Sequence, residues 1–271
     1  MKHGIVGICL FLAVQSIVFA QLSSPNKSTS SDAESELINS LKKKPKHGLI
    51  YFTMGSGNPQ KEFQSNIGTG GSGFLFGGGY SFEPIFPKEY NGFNASLVTG
   101  MDIGYITLTR NKRPASYFVK YDDYIYTNSV VPINVFARAQ FNIAQWIFPY
   151  GELIGGTNVY SATTDGGYRE QVLRDGKYVW ETRTDEVYSK RNVFWNYGVG
   201  AGMMIKIVEN ISLPNSASSI LLDIKARYHY GVKADYQKVI NVDKNGTTMY
   251  ESYNDAGTDM LFVQAGIAFR F

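Results

Sequence analysis

The sequence predicts an all-β chain, an eight-stranded antiparallel up-and-down transmembrane β-barrel, and three observations carry that expectation. The composition is 44% apolar and 14% aromatic, with 28 glycines, 19 tyrosines and a mean hydropathy of −0.18, a mixture that suits short extended segments and tight turns. Apolar and polar residues alternate with a period of two over much of the chain. The first residues read as an export signal.

That signal spans residues 1–20: Met1-Lys2-His3, an apolar run from Ile5 to Ala20, and Val18-Phe19-Ala20 before Gln21. Gln15 and Ser16 interrupt the run and polar sequence follows at once, which argues against an anchor helix. Cys9 lies inside the signal, so a cleaved chain has no cysteine for a disulfide, a thiolate nucleophile or lipid attachment. Loss of Lys2 takes the formal charge from +3 to +2, which gives no electrostatic case for nucleic acid. Residues 21–47 are polar, Ser-rich and without aromatics, and read as a flexible periplasmic leader. ELINSL within it has the pattern of one or two helical turns on a partner.

From Gly48 onward no segment sustains helical periodicity, and nowhere do about 18 apolar residues run together as a helical membrane span requires. Strands are expected at 48–55, 73–83, 93–109, 129–142, 148–162, 193–207, 219–235 and 258–271. In the last, Leu261, Val263, Ala265, Ile267, Phe269 and Phe271 share one face, while Gln264, Gly266, Ala268 and Arg270 share the other. In the strand before it, Leu222, Ile224, Ala226, Tyr228 and Tyr230 alternate with Asp223, Lys225, Arg227 and His229. A soluble sandwich would present the same pattern in one strand. The export signal, the aromatics toward the ends of the apolar faces and the final Phe271 favour the barrel. Short connections (EPIFPKEYNG, NIAQW, ENISLPNSA) alternate with longer ones around 56–72, 110–128, 163–192 and 236–257. An even strand count then leaves both termini in the periplasm. Arg174-Asp175-Gly176-Lys177 and Lys244-Asn245-Gly246-Thr247 are hairpin turns that extend the walls as paired ribbons, and Asn111-Lys112-Arg113-Pro114 marks the turn of a third.

The run from Ser129 to Arg138, with Pro132, followed by Phe148-Pro149-Tyr150-Gly151-Glu152-Leu153-Ile154-Gly155-Gly156, resembles the outer-membrane β-barrel domain family of Bacteroides-type bacteria. The resemblance implies a porin-like eight-stranded barrel over residues 48–271; its motifs are structural and name no activity. Phe269-Arg270-Phe271 is similar to the C-terminal assembly signal read by the barrel-assembly machinery, which makes Phe269 and Phe271 its candidates.

Alternation sends Asp102, Asn134, Arg138, Gln140, Glu152, Lys206, Asp223, Lys225, Arg227, His229, Gln264 and Arg270 inward. An eight-stranded lumen is just wide enough for side chains to fill, so these charges are expected to form a salt-bridge network; a conducting pathway is the alternative. With His229 alone in the barrel and His47 in the leader, neither a zinc cluster nor a Ser-His-acid hydrolase site is expected, and no cofactor is implied. Gly77-Gly78-Gly79, Gly155-Gly156 and Gly198, Gly200 and Gly202 lack the strand-loop-helix context of a phosphate loop and read as bends or as room for lumenal side chains. In the 163–192 loop, Tyr168, Tyr178, Trp180 and Tyr188 stand among mixed charges, as contacts for a protein or glycan or as self-pairing ribbon residues. The functional expectation is a non-enzymatic cell-outer-membrane barrel that displays surface loops in the envelope, with outer-membrane lipid and the assembly machinery as partners. A narrow porin for small solutes and an accessory barrel of a secretion apparatus are the alternatives.

Overall fold

The computed structural model describes residues 47–82, 94–116, 119–209 and 219–271. The expected signal peptide, the leader up to residue 46, and the short connections at 83–93 and 210–218 lie outside the described residues. Among the described residues ten strands and one helix follow in order. They are β1 (Gly48–Pro59), α1 (Lys61–Ile67), β2 (Gly71–Phe82), β3 (Asn94–Pro114), β4 (Asp123–Asn142), β5 (Ile147–Arg174) and β6 (Lys177–Glu209). They end with β7 (Ser219–Gly231), β8 (Ala234–Val242), β9 (Thr248–Ala256) and β10 (Met260–Arg270).

Eight of these strands close a barrel in the order β1-β10-β7-β6-β5-β4-β3-β2, all neighbours antiparallel. Closure runs through β1, which pairs Phe52 with Ile267 of β10 and with Phe76 of β2. Gly48 and Phe271 exchange backbone hydrogen bonds of 2.8 and 3.1 Å, so both ends of the described barrel meet at one rim. Phe269 points outward, and the Phe271 ring lies where a Gly48 Cβ would stand.

The two-residue period decides which side chains face in. Ile50, Phe52 and Met54 on β1, Phe74 and Phe76 on β2, Val135 on β4, Leu153 on β5, Trp195, Tyr197 and Val199 on β6, and Val263 and Ile267 on β10 are exposed on the outside. The outward rows Phe74 to Phe82, Leu97 to Tyr105, Val131 to Phe141, Ile147 to Val159, Val193 to Ile207, Ile220 to Tyr230 and Leu261 to Phe269 contain no Asp, Glu, Lys or Arg. Inward glycines make room for large neighbours. A Cβ on Gly77 would stand 2.6 Å from the Tyr51 ring, one on Gly202 2.5 Å from the Tyr150 hydroxyl, and one on Gly200 2.8 Å from Glu152 Oε1.

Away from the terminal rim the structure departs from the sequence expectation in three places. Asn111 to Pro114 do not turn: they extend β3, pairing with Asp123 to Tyr126 beyond a bulge at Thr107/Thr109, because Pro114 falls at the strand end, where its missing N–H costs no ladder bond. The 236–257 segment does not continue the wall; β8 and β9 form a separate two-stranded sheet. Residues 61–67, expected as loop, form a helix too short to show periodicity, anchored by buried Phe63 and Ile67 one turn apart. The β5–β6 ribbon does run on, through a bulge at Thr164/Asp165, to a turn at Asp175 (φ 49°) and Gly176 (φ 76°), two positive φ values in the manner of a type I′ hairpin.

Candidate functional site

The lumen is built in layers. Along β3, Asp102 lies between buried Val98 and Ile106; along β7, Asp223, Lys225, Arg227 and His229 follow buried Leu221; along β10, Gln264 lies between Ala268 and Phe262. A charged layer is thus held between two apolar clusters, one toward the terminal rim (Leu49, Leu221, Met204, Ala268) and one toward the far mouth (Ile106, Tyr160, Phe194, Phe262).

Arg227 is the centre of the charged layer. Its Nη1 donates to Asp102 at 2.7 Å, and its Nε and Nη2 donate to Glu152 at 2.6 and 3.2 Å. Glu152 also accepts from Arg138 Nε and Nη2 at 3.2 and 3.1 Å. Asp102 accepts further bonds from the Tyr51 hydroxyl at 2.6 Å and Asn134 Nδ2 at 2.9 Å. Asp223 accepts from Tyr150 at 2.5 Å and lies 3.5 Å from Lys225 Nζ. The cations also lie over rings: Arg138 3.8 Å from the Tyr150 centroid, Lys225 Nζ 3.9 Å from that of Tyr51. Three buried acids therefore face three buried bases, Asp102, Glu152 and Asp223 against Arg138, Lys225 and Arg227. Charges taken out of water are tolerated when paired and hydrogen-bonded in this way. His229 is buried beside Phe262 at 4.6 Å between centroids, and among the described residues neither ring nitrogen has a hydrogen-bond partner. The gap it lines with Leu75, Pro132, Asn134, Arg227, Phe262 and Gln264 is too narrow for a water-sized sphere.

Two residues expected in the network have partners of their own nearer the terminal rim. Lys206 is part-exposed and pairs with Glu209 at 3.1 Å, and Arg270 donates to Gln140 at 3.0 Å. Both point inward, but they sit at the terminal rim, where alternation gives the face and says nothing of depth. Tyr51 and Tyr150 join the network without having been expected there; their aromatic side chains on inward rows were the available signal. Among the described residues no group of three His, Cys, Asp or Glu is placed to hold a metal.

The far mouth is covered. Asn128 on β4 brackets Val239 of β8, its Nδ2 donating to the Val239 carbonyl at 3.0 Å and its Oδ1 accepting the Val239 N–H at 3.1 Å, while Tyr160 donates to the same Oδ1 at 3.0 Å. Phe63 of α1 meets Tyr160, Phe194 and Tyr236 edge-on at 5.3–6.4 Å. Asn66 donates to the Tyr236 hydroxyl at 2.9 Å, and Lys61 pairs with Asp259 at 2.7 Å. Burial pushes the Tyr236 phenol up, and its bond from Asn66 acts the other way.

The four candidate contact residues of the ribbon divide. Tyr188 turns over the mouth, donating to Gln237 at 2.6 Å and stacking on Tyr250 at 5.7 Å. Tyr168 packs under Lys120 Nζ at 4.1 Å. Lys120 also binds Asp185 at 2.5 Å, and that bond draws the Asp185 carboxyl below its ordinary range. Tyr178 and Trp180 face away from the mouth, 71% and 65% exposed.

No family model matches the chain, and no curated protein matches it either. Among solved structures it is similar to the neisserial surface protein A, at 13% identity and a TM-score of 0.41, over 83% of this chain and 97% of that one. It is similar to Ail, the attachment invasion locus protein of Yersinia pestis, in complex with the heparin analogue sucrose octasulfate, at 18% identity and a TM-score of 0.32, over 83% and 99% of the chains. A major outer membrane protein of Thermus thermophilus matches at 13% identity and a TM-score of 0.41, over 82% and 99%.

Proposed function

We propose that the chain is a non-enzymatic outer-membrane β-barrel, a rigid and non-conducting pedestal that holds the β5–β6 ribbon and the covered mouth outside the cell. The observation that carries this reading is the division of charge: none on the outward rows, three fully buried acids against three fully buried bases in the lumen. An uncharged apolar exterior on a closed antiparallel sheet suits lipid, since closure leaves no strand edge and pairs the wall backbone around the ring apart from local bulges. The outward row on β10 is nine residues long, from Leu261 to Phe269. At about 3.3 Å per residue and a tilt of roughly 45° it spans on the order of 20 Å, close to the apolar band of such barrels. Of the alternatives, a narrow porin is disfavoured by the paired charge layer and the mouth sealed by α1 and β8. The signal peptide, the leader and the assembly role of Phe269 and Phe271 belong to the same proposal.

Reconstitution in planar bilayers tests it. A folded barrel, shown by a shift in gel migration on boiling, is expected to give no conductance steps. Reproducible steps from the same preparation would move the reading to the small porin.

A further inference from the structure

Among the described residues no strand lies beside the β6 edge beyond the barrel. From Lys177 to Phe194, β6 pairs with β5 alone; its ladder with β7 begins at Asn196, and just below it Val232 N–H donates to the Trp195 carbonyl. The two faces of the ribbon differ. Tyr178 stands opposite Leu173 and Trp180 opposite Gln171 on the outer face, whereas Arg174 pairs with Glu181 at 3.0 Å and Arg183 with Glu170 at 3.1 Å on the inner one. In an antiparallel ladder closed by a two-residue turn the closing pair is hydrogen-bonded. Lys177, Val179 and Glu181 therefore direct their backbone groups to β5, and Tyr178 and Trp180 direct theirs to the free edge.

We propose that this edge pairs with the same edge of a second copy, antiparallel about Val179, joining chains held in two apposed membranes. The observation that selects a second copy is complementarity in Lys177-Tyr178-Val179-Trp180-Glu181 under reversal. Lys177 then faces the partner's Glu181 twice on one side, and Tyr178 faces the partner's Trp180 twice on the other. Tyr178 and Trp180 are the residues whose backbone groups are open, so the register that matches charges also matches hydrogen bonds. Cross-strand aromatic and opposite-charge pairs both favour it. Copies in one membrane run β6 in the same sense, so antiparallel pairing needs two membranes. Lys177 lies sixteen residues beyond Val193, where the uncharged row of β6 begins, roughly 50 Å of strand at about 3.3 Å per residue. The contact is short and weak singly, and acts through many copies at once.

This inference rests on the pedestal reading, and its test separates the two. Full chain is inserted in phosphatidylcholine vesicles free of polysaccharide, with outward ribbons verified by external protease, and two populations are mixed and followed by light scattering. Wild-type vesicles are expected to cluster. Lys177→Glu vesicles alone and Glu181→Lys vesicles alone are expected to remain dispersed, because each places like charges opposite, while mixing the two populations restores clustering. Correct insertion without wild-type clustering overturns the pairing and leaves the pedestal reading intact; failure to insert counts against the pedestal itself. Clustering that appears only with added polysaccharide, or that persists in both single variants, also overturns it.

Discussion

Replacing Glu152 by Ala removes the acceptor of four bonds from two buried guanidiniums, at 3.2 and 3.1 Å from Arg138 and 2.6 and 3.2 Å from Arg227. Arg227 keeps Asp102 at 2.7 Å. Arg138 keeps the Tyr150, Phe136 and Tyr51 faces at 3.8, 5.2 and 5.8 Å and a contact with Met204 Sδ at 4.0 Å but no ion pair among the described residues, so it becomes the stranded charge. Summing four charge-assisted bonds at about 1.5–3 kcal/mol each would overstate the loss, since desolvation opposed them from the start. The cost of breaking one buried pair, about 3–5 kcal/mol, is the better guide. Arg138→Met combined with Glu152→Ala removes the stranded charge, and is expected to recover about half of that loss or more. Urea titration of the heat-modifiable folded band in lipid vesicles reads both variants. A loss below about 1 kcal/mol for Glu152→Ala, or a double variant no better than the single one, would refute the network as a source of stability.

The mouth and the interior packing give three more expectations. Asn128→Ala removes the bracket on Val239 and is expected to cost about 2 kcal/mol locally, with roughly thirtyfold faster amide exchange in β8 and an unchanged barrel band; unaltered exchange would deny the bracket its role. Gly200→Val places a Cβ 2.8 Å from Glu152 Oε1 and 3.0 Å from Arg227 Cγ, which predicts a loss of about 1–3 kcal/mol in the same titration. Gly155→Val, whose Cβ meets nothing within 4 Å, is expected to stay within about 0.5 kcal/mol, and equal effects at the two sites would contradict the inside–outside assignment. The Asp243 carboxyl is held below its ordinary value near 3.8, first by the Thr247 backbone N–H, so its support of the β8–β9 turn is full above that value and lost as pH falls through the depressed one. Protection of the Thr247 amide should therefore be constant from about pH 7 to about pH 5 and fall toward about pH 2, and persistence there would contradict the linkage.

The wall was legible because alternation along a strand separates two solvents. Asp223, Lys225 and Arg227 opposite Ile224 and Ala226 state which side is which without any partner strand. Depth was not legible: Lys206 and Arg270 share the inward face with Arg138, yet their height relative to it follows from the stagger of strands from several parts of the chain. The cover was hidden for a different reason. In β8 the buried residues Tyr236, Val239 and Val242 recur every three positions, with register shifts at Ala234/Tyr236 and Val239/Asn241, so the two-residue period fails. Phe63 and Ile67 have helical spacing, but seven residues hold too little of it to be recognised, and tertiary packing on Tyr160 and Phe194 fixes the helix.

Spin labels at Phe52, Val135, Val199 and Val263, one per strand on β1, β4, β6 and β10, test most directly whether the uncharged exterior faces lipid. In vesicles, strong relaxation by dissolved oxygen and little by a water-soluble nickel chelate is expected at all four, with the opposite balance at Tyr178 and Trp180. Strong relaxation by the nickel chelate at the four wall positions of a folded barrel would contradict a lipid-facing exterior.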